Sequence, residues 1–445
     1  MNILTRTRSQ VWPLLRLATP LAVAQLAQVA EGVTDTVFLG GLGAEALAAG
    51  GLGTMLFITV LIVLQGVLSA VSVLMARATG AGDRASLPGL YWAGMAMTVV
   101  LSVPAVLLFS TVEPIMLWLH EPPDLARNTG LYVSVLRWGV PGGLIGMGLM
   151  RAVLPALGRG HLLLGVALVA VLANGLLCWV LIHGAGPIPG FGMVGAAAAT
   201  AIAMTGAALA LLALLHGQAA ARDSVRWCKP TRGGLRNILR LGVPVAGTAA
   251  VETGLFLGVG LLVATLGPVA LAAQQVALSV VTVSFMVPLA VAQAAHVRVA
   301  ERLGARDAAG ARRAGWVAIV LGAVTEAVPA IAVASAPALI VGWYLGPDNA
   351  EAREIAATLL TIFVFQIVDG IQCTAGGALR GYGDTRVPFA IATAGYWGLG
   401  FPLAWVLTHT GWGAPGAWCG IAAGLGFVAV ALCWRYKIVS EHAGH

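Results

Sequence analysis

The amino-acid sequence predicts an all-α polytopic membrane protein, with twelve transmembrane helices in two pseudo-symmetric lobes of six. Of the 445 residues, 59% are hydrophobic and only 10% are charged, whereas a typical soluble domain has about 25% charged residues. Long apolar runs recur along nearly the whole chain, and a helix needs about 20 apolar residues to cross a bilayer. Little chain is left for a soluble catalytic domain, so an enzyme is not expected.

Glycines, prolines and charged residues interrupt the apolar runs and divide them into spans. No small-residue cleavage site follows the first run, so we expect that span to be retained. The predicted spans are 14–38, 47–76, 89–112, 127–153, 163–183, 192–215, 238–265, 271–298, 314–335, 353–379, 387–408 and 415–435.

Basic residues are concentrated on one side of these spans. If the N-terminus is cytoplasmic, the tails and the even-numbered connections hold most of the Lys and Arg, whereas the other side offers Arg127 and Arg353. Cytoplasmic loops collect Lys and Arg, so we expect both termini to be cytoplasmic and the protein to lie in the cell inner (plasma) membrane. The net charge of +7 then reflects topology, and no nucleic-acid partner is expected.

An internal repeat divides the chain into halves. The motif LLRLATP at 14–20 returns as ILRLGVP, LGAEALAA at 42–49 returns as LGPVALAA, and GAGD at 80–83 returns as GARD, all at an offset of 224 residues. We predict an N-terminal six-helix lobe at 1–215, a basic cytoplasmic linker at 216–237 and a C-terminal six-helix lobe at 238–445. Parallel repeats of this kind are typical of transporters.

Acidic residues inside the spans are the first candidates for function, because a charged acid at the bilayer centre costs about 3 kcal/mol or more. Such a residue is expected to face an internal cavity. At the repeat offset Asp35 corresponds to Val259 and Glu252 corresponds to Gln28, so the fold itself does not require the acids. Five acidic residues lie inside the predicted spans: Glu31, Asp35, Glu252, Glu326 and Asp369.

Two of the spans carry polar stripes at helical spacing. In the first span Gln25, Gln28, Gly32 and Asp35 share one face with Glu31 beside them, and in the tenth span Gln366, Asp369, Gln372 and Gly376 do the same. An alternative is that the amides only hold helices together, at about 0.6 kcal/mol each. Glu326 has no such stripe and is read as an incidental or cavity-facing acid. Arg151 is expected to snorkel inward, and Arg137 is a possible partner for an acid.

The sequence lacks the motifs expected for metal binding, ATP hydrolysis or membrane-transferase chemistry. The five Cys form no C-x-x-C pair, the His residues form no metal motif, and no Walker-type loop is present. A membrane transferase would need paired acids such as DDxxD, and a receptor or scaffold would not need buried acids placed unequally in the halves. No bound cofactor is expected.

Several segments are distinctive: LATP and VTDTVFLGGLGAEALAA in the first span and the following loop, PVAGTAAVETGLF in the seventh span, and FQIVDGIQCTAGGALRGYGDTRVPF with YWGLGFPL in the tenth and eleventh. Together they resemble the multidrug and toxic compound extrusion (MATE) transporters of the NorM-type branch. The resemblance implies two six-helix lobes with carboxylates in their cavities. It also implies a monomer that exports lipophilic organic cations in exchange for Na⁺ or H⁺.

The family's cation-linked carboxylates fall on Asp35, Glu252 and Asp369, and the resemblance makes Glu252 and Asp369 the candidate Na⁺ ligands. Two positions depart from the family pattern. Glu31 occupies a position where the family usually has an uncharged residue, and Cys178 stands where some proton-driven relatives have Asp. The remaining alternative within the superfamily is a flippase for a lipid-linked intermediate, for which a cavity rich in Arg would be expected. Further candidate cavity residues are Gln28, Glu31, Asn174, Gln366 and Gln372.

Overall fold

The computed structural model describes residues 3–187, 189–346 and 349–443, and these residues are almost entirely helical. Most of the helices are long and run between short turns. The first half contains α1 Ile3–Gly41, α2 Ala44–Gly80, α3 Leu87–Phe109, α4 Val112–Trp118, α5 Pro123–Leu136, α6 Val140–Gly143, α7 Arg151–Ala156, α8 His161–His183, α9 Gly192–Gly217 and α10 Arg222–Val225. The second half contains α11 Arg232–Ala264, α12 Pro268–Gly304, α13 Ala308–Ser335, α14 Pro337–Tyr344, α15 Ala350–Thr361, α16 Gln366–Tyr382, α17 Arg386–Thr393, α18 Phe401–Leu407 and α19 Gly413–His442.

Tighter and wider helical turns join several of these helices into continuous segments. Three-residue-per-turn segments occur at Arg137–Gly139, Ala219–Ala221 and Ile362–Phe365, and π-helical segments occur at Leu144–Met150, Ala394–Gly400 and Thr408–Trp412. Such π segments are frequent where a helix carries a functional side chain.

The predicted spans correspond to these helical segments, and the ends mostly extend a few residues further than predicted. Within the described residues, ten stretches are long and apolar enough to cross a membrane. Helix α1 is not among the ten, because its polar stripe lowers its mean hydropathy. The stretch Arg386–His442 counts once but holds both the eleventh and the twelfth span, which Gly411 and Gly413 separate through positive φ angles of 96° and 56°.

The helices pack into two compact units. Val23–Ala246 form one, which we call the N-unit; Met1–Ala22 and Gly247–His445 form the other, the C-unit. The predicted lobes instead divide at the linker 216–237. The difference arises because each unit contains the beginning of the other repeat's first helix.

Packing inside each unit accounts for these bounds. Leu14 and Ala18 of α1 lie in a buried apolar cluster with Val291 and Ala294 of the C-unit. In the N-unit, Gly242 of α11 lies so close to α2 that an added Cβ would overlap the backbone there. The first part of α1 and the first part of α11 therefore exchange places relative to the repeat.

Large apolar side chains also cover the outside of the helices. Leu172 is 75% exposed, Val430 is 73% exposed and Trp118 is 76% exposed. Such residues occur in both units, and their number far exceeds the isolated apolar patches of a soluble monomer. These surfaces suit contact with lipid, and the protein is a multi-pass membrane protein.

Candidate functional site: buried acids in two units

Asp35 lies in a polar cluster built by three helices of the N-unit. Its side chain, on α1, is 4% exposed. Oδ2 lies 2.9 Å from the Thr200 hydroxyl of α9, and Oδ1 lies 3.4 Å from the Cys178 Sγ of α8. Asn174, one turn before Cys178, directs its Nδ2 to the Thr200 Oγ1 at 3.4 Å. The predicted residues Asp35 and Asn174 thus belong to one cluster.

The Thr200 hydroxyl gives this cluster two possible hydrogen-bond arrangements. It lies 2.9 Å from Asp35 Oδ2 and 3.2 Å from the Ala196 carbonyl oxygen, and a hydroxyl donates one proton and accepts others. Thr200 can donate to an ionised Asp35. Alternatively, it can donate to Ala196 and accept from a protonated Asp35, so both states of the acid find a partner.

Arg151 binds the polar stripe of α1. Its Nη1 donates to Gln25 Oε1 at 2.9 Å and its Nη2 donates to Gln28 Oε1 at 3.1 Å. A π-helical segment, Leu144–Met150, directly precedes Arg151. The side chain that was expected only to snorkel therefore has two specific partners.

Arg151, Gln28 and Glu31 line one cavity of the N-unit. Most of the other lining side chains are apolar, among them Met147, Met204 and several Ala, Val and Leu residues. One acid and one base therefore face a largely apolar space.

Glu252 and Asp369 meet through a shared amide in the C-unit. Gln372 Nε2 lies 2.9 Å from Asp369 Oδ1 and 3.3 Å from Glu252 Oε1. Tyr396, which lies in the π-helical segment Ala394–Gly400, donates its hydroxyl proton to Gln372 Oε1 at 3.0 Å. Asp369 is 2% exposed and Tyr396 is fully buried. The three predicted residues are brought together, and Tyr396 orients the amide between the two acids.

The remaining polar candidates lie outside these hydrogen-bonded clusters. Gln366 is fully buried, and neither of its amide atoms finds a hydrogen-bond partner within the described part of the chain. Glu326 is also fully buried and accepts a hydrogen bond from the Ser284 hydroxyl. Arg137 donates to the Ser110 hydroxyl and lies over the ring of Trp138. No salt bridge to Arg137 occurs among the described residues.

The donor sets indicate which ligands these clusters suit. Among the described residues, no group of three or more His, Cys, Asp and Glu is arranged to hold a metal ion. The Glu252 and Asp369 pair instead offers carboxylate oxygen atoms, which hard cations prefer. Such a pair suits a weakly held monovalent cation or a proton.

Comparison with known proteins identifies the family. The family model described as MatE matches residues 20–180 and 244–406. The chain belongs to the MatE family. The two matched segments begin at the offset of the repeated motifs, which confirms the internal duplication.

Known MatE relatives cover almost the whole chain. The protein is 49% identical to "Multidrug resistance protein NorM" of Burkholderia vietnamiensis, over 95% of this chain and 93% of the relative. It is also 49% identical to "Probable multidrug resistance protein NorM" of Burkholderia mallei, over 96% of this chain and 93% of the relative. The sequence-based assignment to the NorM-type branch is confirmed.

A solved structure agrees in fold. The crystal structure of a MATE protein in complex with MaL6 superposes with a TM-score of 0.89 at 19% identity, and covers 98% of this chain and 97% of that one. The predicted architecture of twelve transmembrane helices in two lobes is confirmed. This MatE protein is a transporter and not an enzyme.

Proposed function

We propose that this MatE protein is a secondary active multidrug efflux transporter, which exports lipophilic organic cations in exchange for Na⁺ or H⁺. The observation that carries the proposal is the presence of a separate buried acidic cluster in each unit. Glu252 and Asp369 share one amide in the C-unit, and Asp35 is held by Thr200 in the N-unit. Acids buried inside a membrane protein by default mark an ion or substrate pathway.

The coupling step is a competition for these carboxylates. Gln372 supplies N–H groups and no positive charge, so the Glu252 and Asp369 pair can be neutralised by Na⁺ among oxygen ligands or by a proton. A cationic substrate is a third way to neutralise an acid. Entry of the coupling ion therefore favours release of the substrate.

The ion gradient is large enough for useful export. Inward movement of one charge across about 100 mV is worth ~2.3 kcal/mol. At ~1.4 kcal/mol for each factor of ten, this corresponds to a concentration ratio of roughly fifty.

The cargo site in this proposal is the N-unit cavity that Gln28, Glu31 and Arg151 line. Its apolar lining suits a lipophilic body, and Glu31 suits a positive charge. The relatives carry the name multidrug resistance protein, which agrees with a mostly apolar cavity lining.

The placement of basic residues supports an inner-membrane protein with both termini in the cytoplasm. Lys and Arg cluster in the connections on one side of the spans, as cytoplasmic loops do. In this proposal the protein acts as a monomer surrounded by lipid.

Efflux assays test the function. The protein would be placed in proteoliposomes loaded with ethidium, and efflux would be followed under an imposed Na⁺ gradient and, separately, under an imposed pH gradient. We expect one of the two gradients to drive efflux above that of protein-free liposomes. Absence of efflux with both would contradict the proposal and favour the flippase, for whose anionic headgroup Arg151 would be the cavity ligand.

Opposite substitutions in the cavity test the cargo site. Glu31→Gln leaves Arg151 as the charged group of the cavity lining, so we expect the KM for ethidium to rise roughly tenfold, because a repulsion of about 1.4 kcal/mol suffices for that factor. Arg151→Gln should lower the KM. Arg137→Gln, whose partner Ser110 lies outside the cavity lining, is the control and should leave it unchanged. A shift in the same direction for both cavity variants would refute this role.

A further inference from the structure

Glu326 is a buried acid that the proposed coupling sites do not use. It lies on α13 in the C-unit and is fully shielded from solvent. Its Oε2 accepts the hydroxyl proton of Ser284 on α12. Its Oε1 has no hydrogen-bond partner among the residues that the structure describes. A buried acceptor without a partner is costly, so this oxygen needs a ligand.

A close helix crossing lies beside Glu326, and a second buried polar side chain lies one helical turn from it on α16. A Cβ added to Gly322 of α13 would overlap the backbone of Gly370 of α16, and the converse also holds, so the two backbones touch. A Cβ on Gly370 would also lie 3.0 Å from Glu326 Cγ. Gln366 lies one turn before Gly370 on α16, on the same helix face.

The amide of Gln366 has the same deficit as the carboxylate of Glu326. Gln366 is fully buried, and both its amide oxygen and its amide nitrogen lack a partner within the described residues. Two buried polar groups with unsatisfied atoms therefore flank one crossing of α13 and α16. A single cation between them would satisfy the carboxylate oxygen of Glu326 and the amide oxygen of Gln366.

Two prolines free main-chain oxygens of α12 and α13 from their helical hydrogen bonds. Pro288 lies inside α12 and Pro329 lies inside α13. Proline has no N–H, so the carbonyl four residues earlier loses its helical donor. These carbonyls belong to Ser284, whose hydroxyl bonds Glu326, and to Thr325, the residue before Glu326.

The atoms available as ligands are oxygens of a kind that binds hard cations. They comprise a carboxylate, a hydroxyl, an amide oxygen and two carbonyls, without His or Cys. Interrupted helices supply carbonyls to Na⁺ in other transporters. The single carboxylate balances one positive charge, whereas a divalent ion would leave an uncompensated charge in the interior.

We propose that Glu326, Ser284 and Gln366, with the carbonyl oxygens of Ser284 and Thr325, form a Na⁺ site separate from the Glu252 and Asp369 pair. The site goes beyond the proposed function, because it binds Na⁺ whichever cation drives efflux. Its occupancy ties α12, α13 and α16 together beside the contact of Gly322 with Gly370.

Equilibrium binding of radioactive Na⁺ to the purified full-length protein in detergent tests the site. We expect saturable binding to the wild type, with one Na⁺ per protein fewer in Glu326→Gln. Binding that depends on Glu326 should persist in the double variant Glu252→Gln with Asp369→Asn. Because this experiment does not measure efflux, absence of Glu326-dependent Na⁺ binding would leave the efflux proposal standing. Likewise, absence of efflux would leave the Na⁺ site standing.

Ser284→Ala keeps the test decisive if Glu326→Gln does not fold. We expect it to raise the Kd for Na⁺ about 10-fold, in the range seen when a group that supports a metal ligand is removed. Ser279→Ala on the same helix is the control, because the Ser279 hydroxyl bonds the carbonyl of Gln275 in its own helix. The site is ruled out if Ser284→Ala binds Na⁺ like the wild type, or if the double variant loses all Na⁺ binding.

Discussion

Asp369→Asn is expected to reduce cation-coupled efflux to the level of protein-free liposomes, and Glu252→Gln is expected to do the same. Each substitution keeps the shape of the side chain but removes a group that can carry a charge or exchange a proton. The substituted amide oxygen can still accept from Gln372, which now bonds both acids. Insertion into the membrane should therefore be retained.

The measurement is ethidium efflux from proteoliposomes under the gradient that drives the wild type, with the amount of inserted protein quantified in the same vesicles. Asp124→Asn and Glu351→Gln make the same chemical changes at exposed positions and should transport normally. Normal transport by both Asp369→Asn and Glu252→Gln would remove these acids from the coupling mechanism.

Asp35→Asn is expected to lower efflux at least about 100-fold, because loss of a group that must change its charge state removes a step and not only a contact. Thr200→Val should have a smaller effect, of about 10-fold, since Asp35 would keep its charge and lose its hydroxyl partner at 2.9 Å. The same proteoliposome assay gives both values.

Thr205→Val serves as the control for Thr200→Val. Both threonines lie on α9, but the Thr205 hydroxyl donates to the carbonyl of Ala201 in its own helix at 2.7 Å. We expect near-normal efflux for Thr205→Val. If Asp35→Asn transports like the wild type, the N-unit cluster has no coupling role and the C-unit acids act alone.

The sequence was sufficient for the spans and for the identity of the acids. Apolar runs determine where a helix can cross a bilayer, and helical spacing places Gln372 beside Asp369 on one face. A charged residue inside such a run is conspicuous without any structure. Those parts of the site depend on local sequence alone.

The partners of these acids depend on distant parts of the chain and were missed. Thr200, Tyr396 and Ser284 look like ordinary span residues, because hydroxyl groups commonly bond within their own helix. Arg151 was recognised as unusual, but its bonds to Gln25 and Gln28 cross more than a hundred residues of sequence. The π-helical turns beside Arg151 and around Tyr396 change which face a side chain occupies, so regular helical spacing could not have located them.

The division of α1 and α11 between the units has a consequence for the history of the chain. The N-unit ends at Ala246 and begins at Val23, and these bounds fall at equivalent positions of the two repeats. If each repeat was once a separate six-helix protein, two copies would have exchanged the beginnings of their first helices, as domain-swapped dimers do. A cut in the segment 216–237 would therefore divide the sequence into its two repeats, and each fragment would lack the helix beginning that completes its own compact unit.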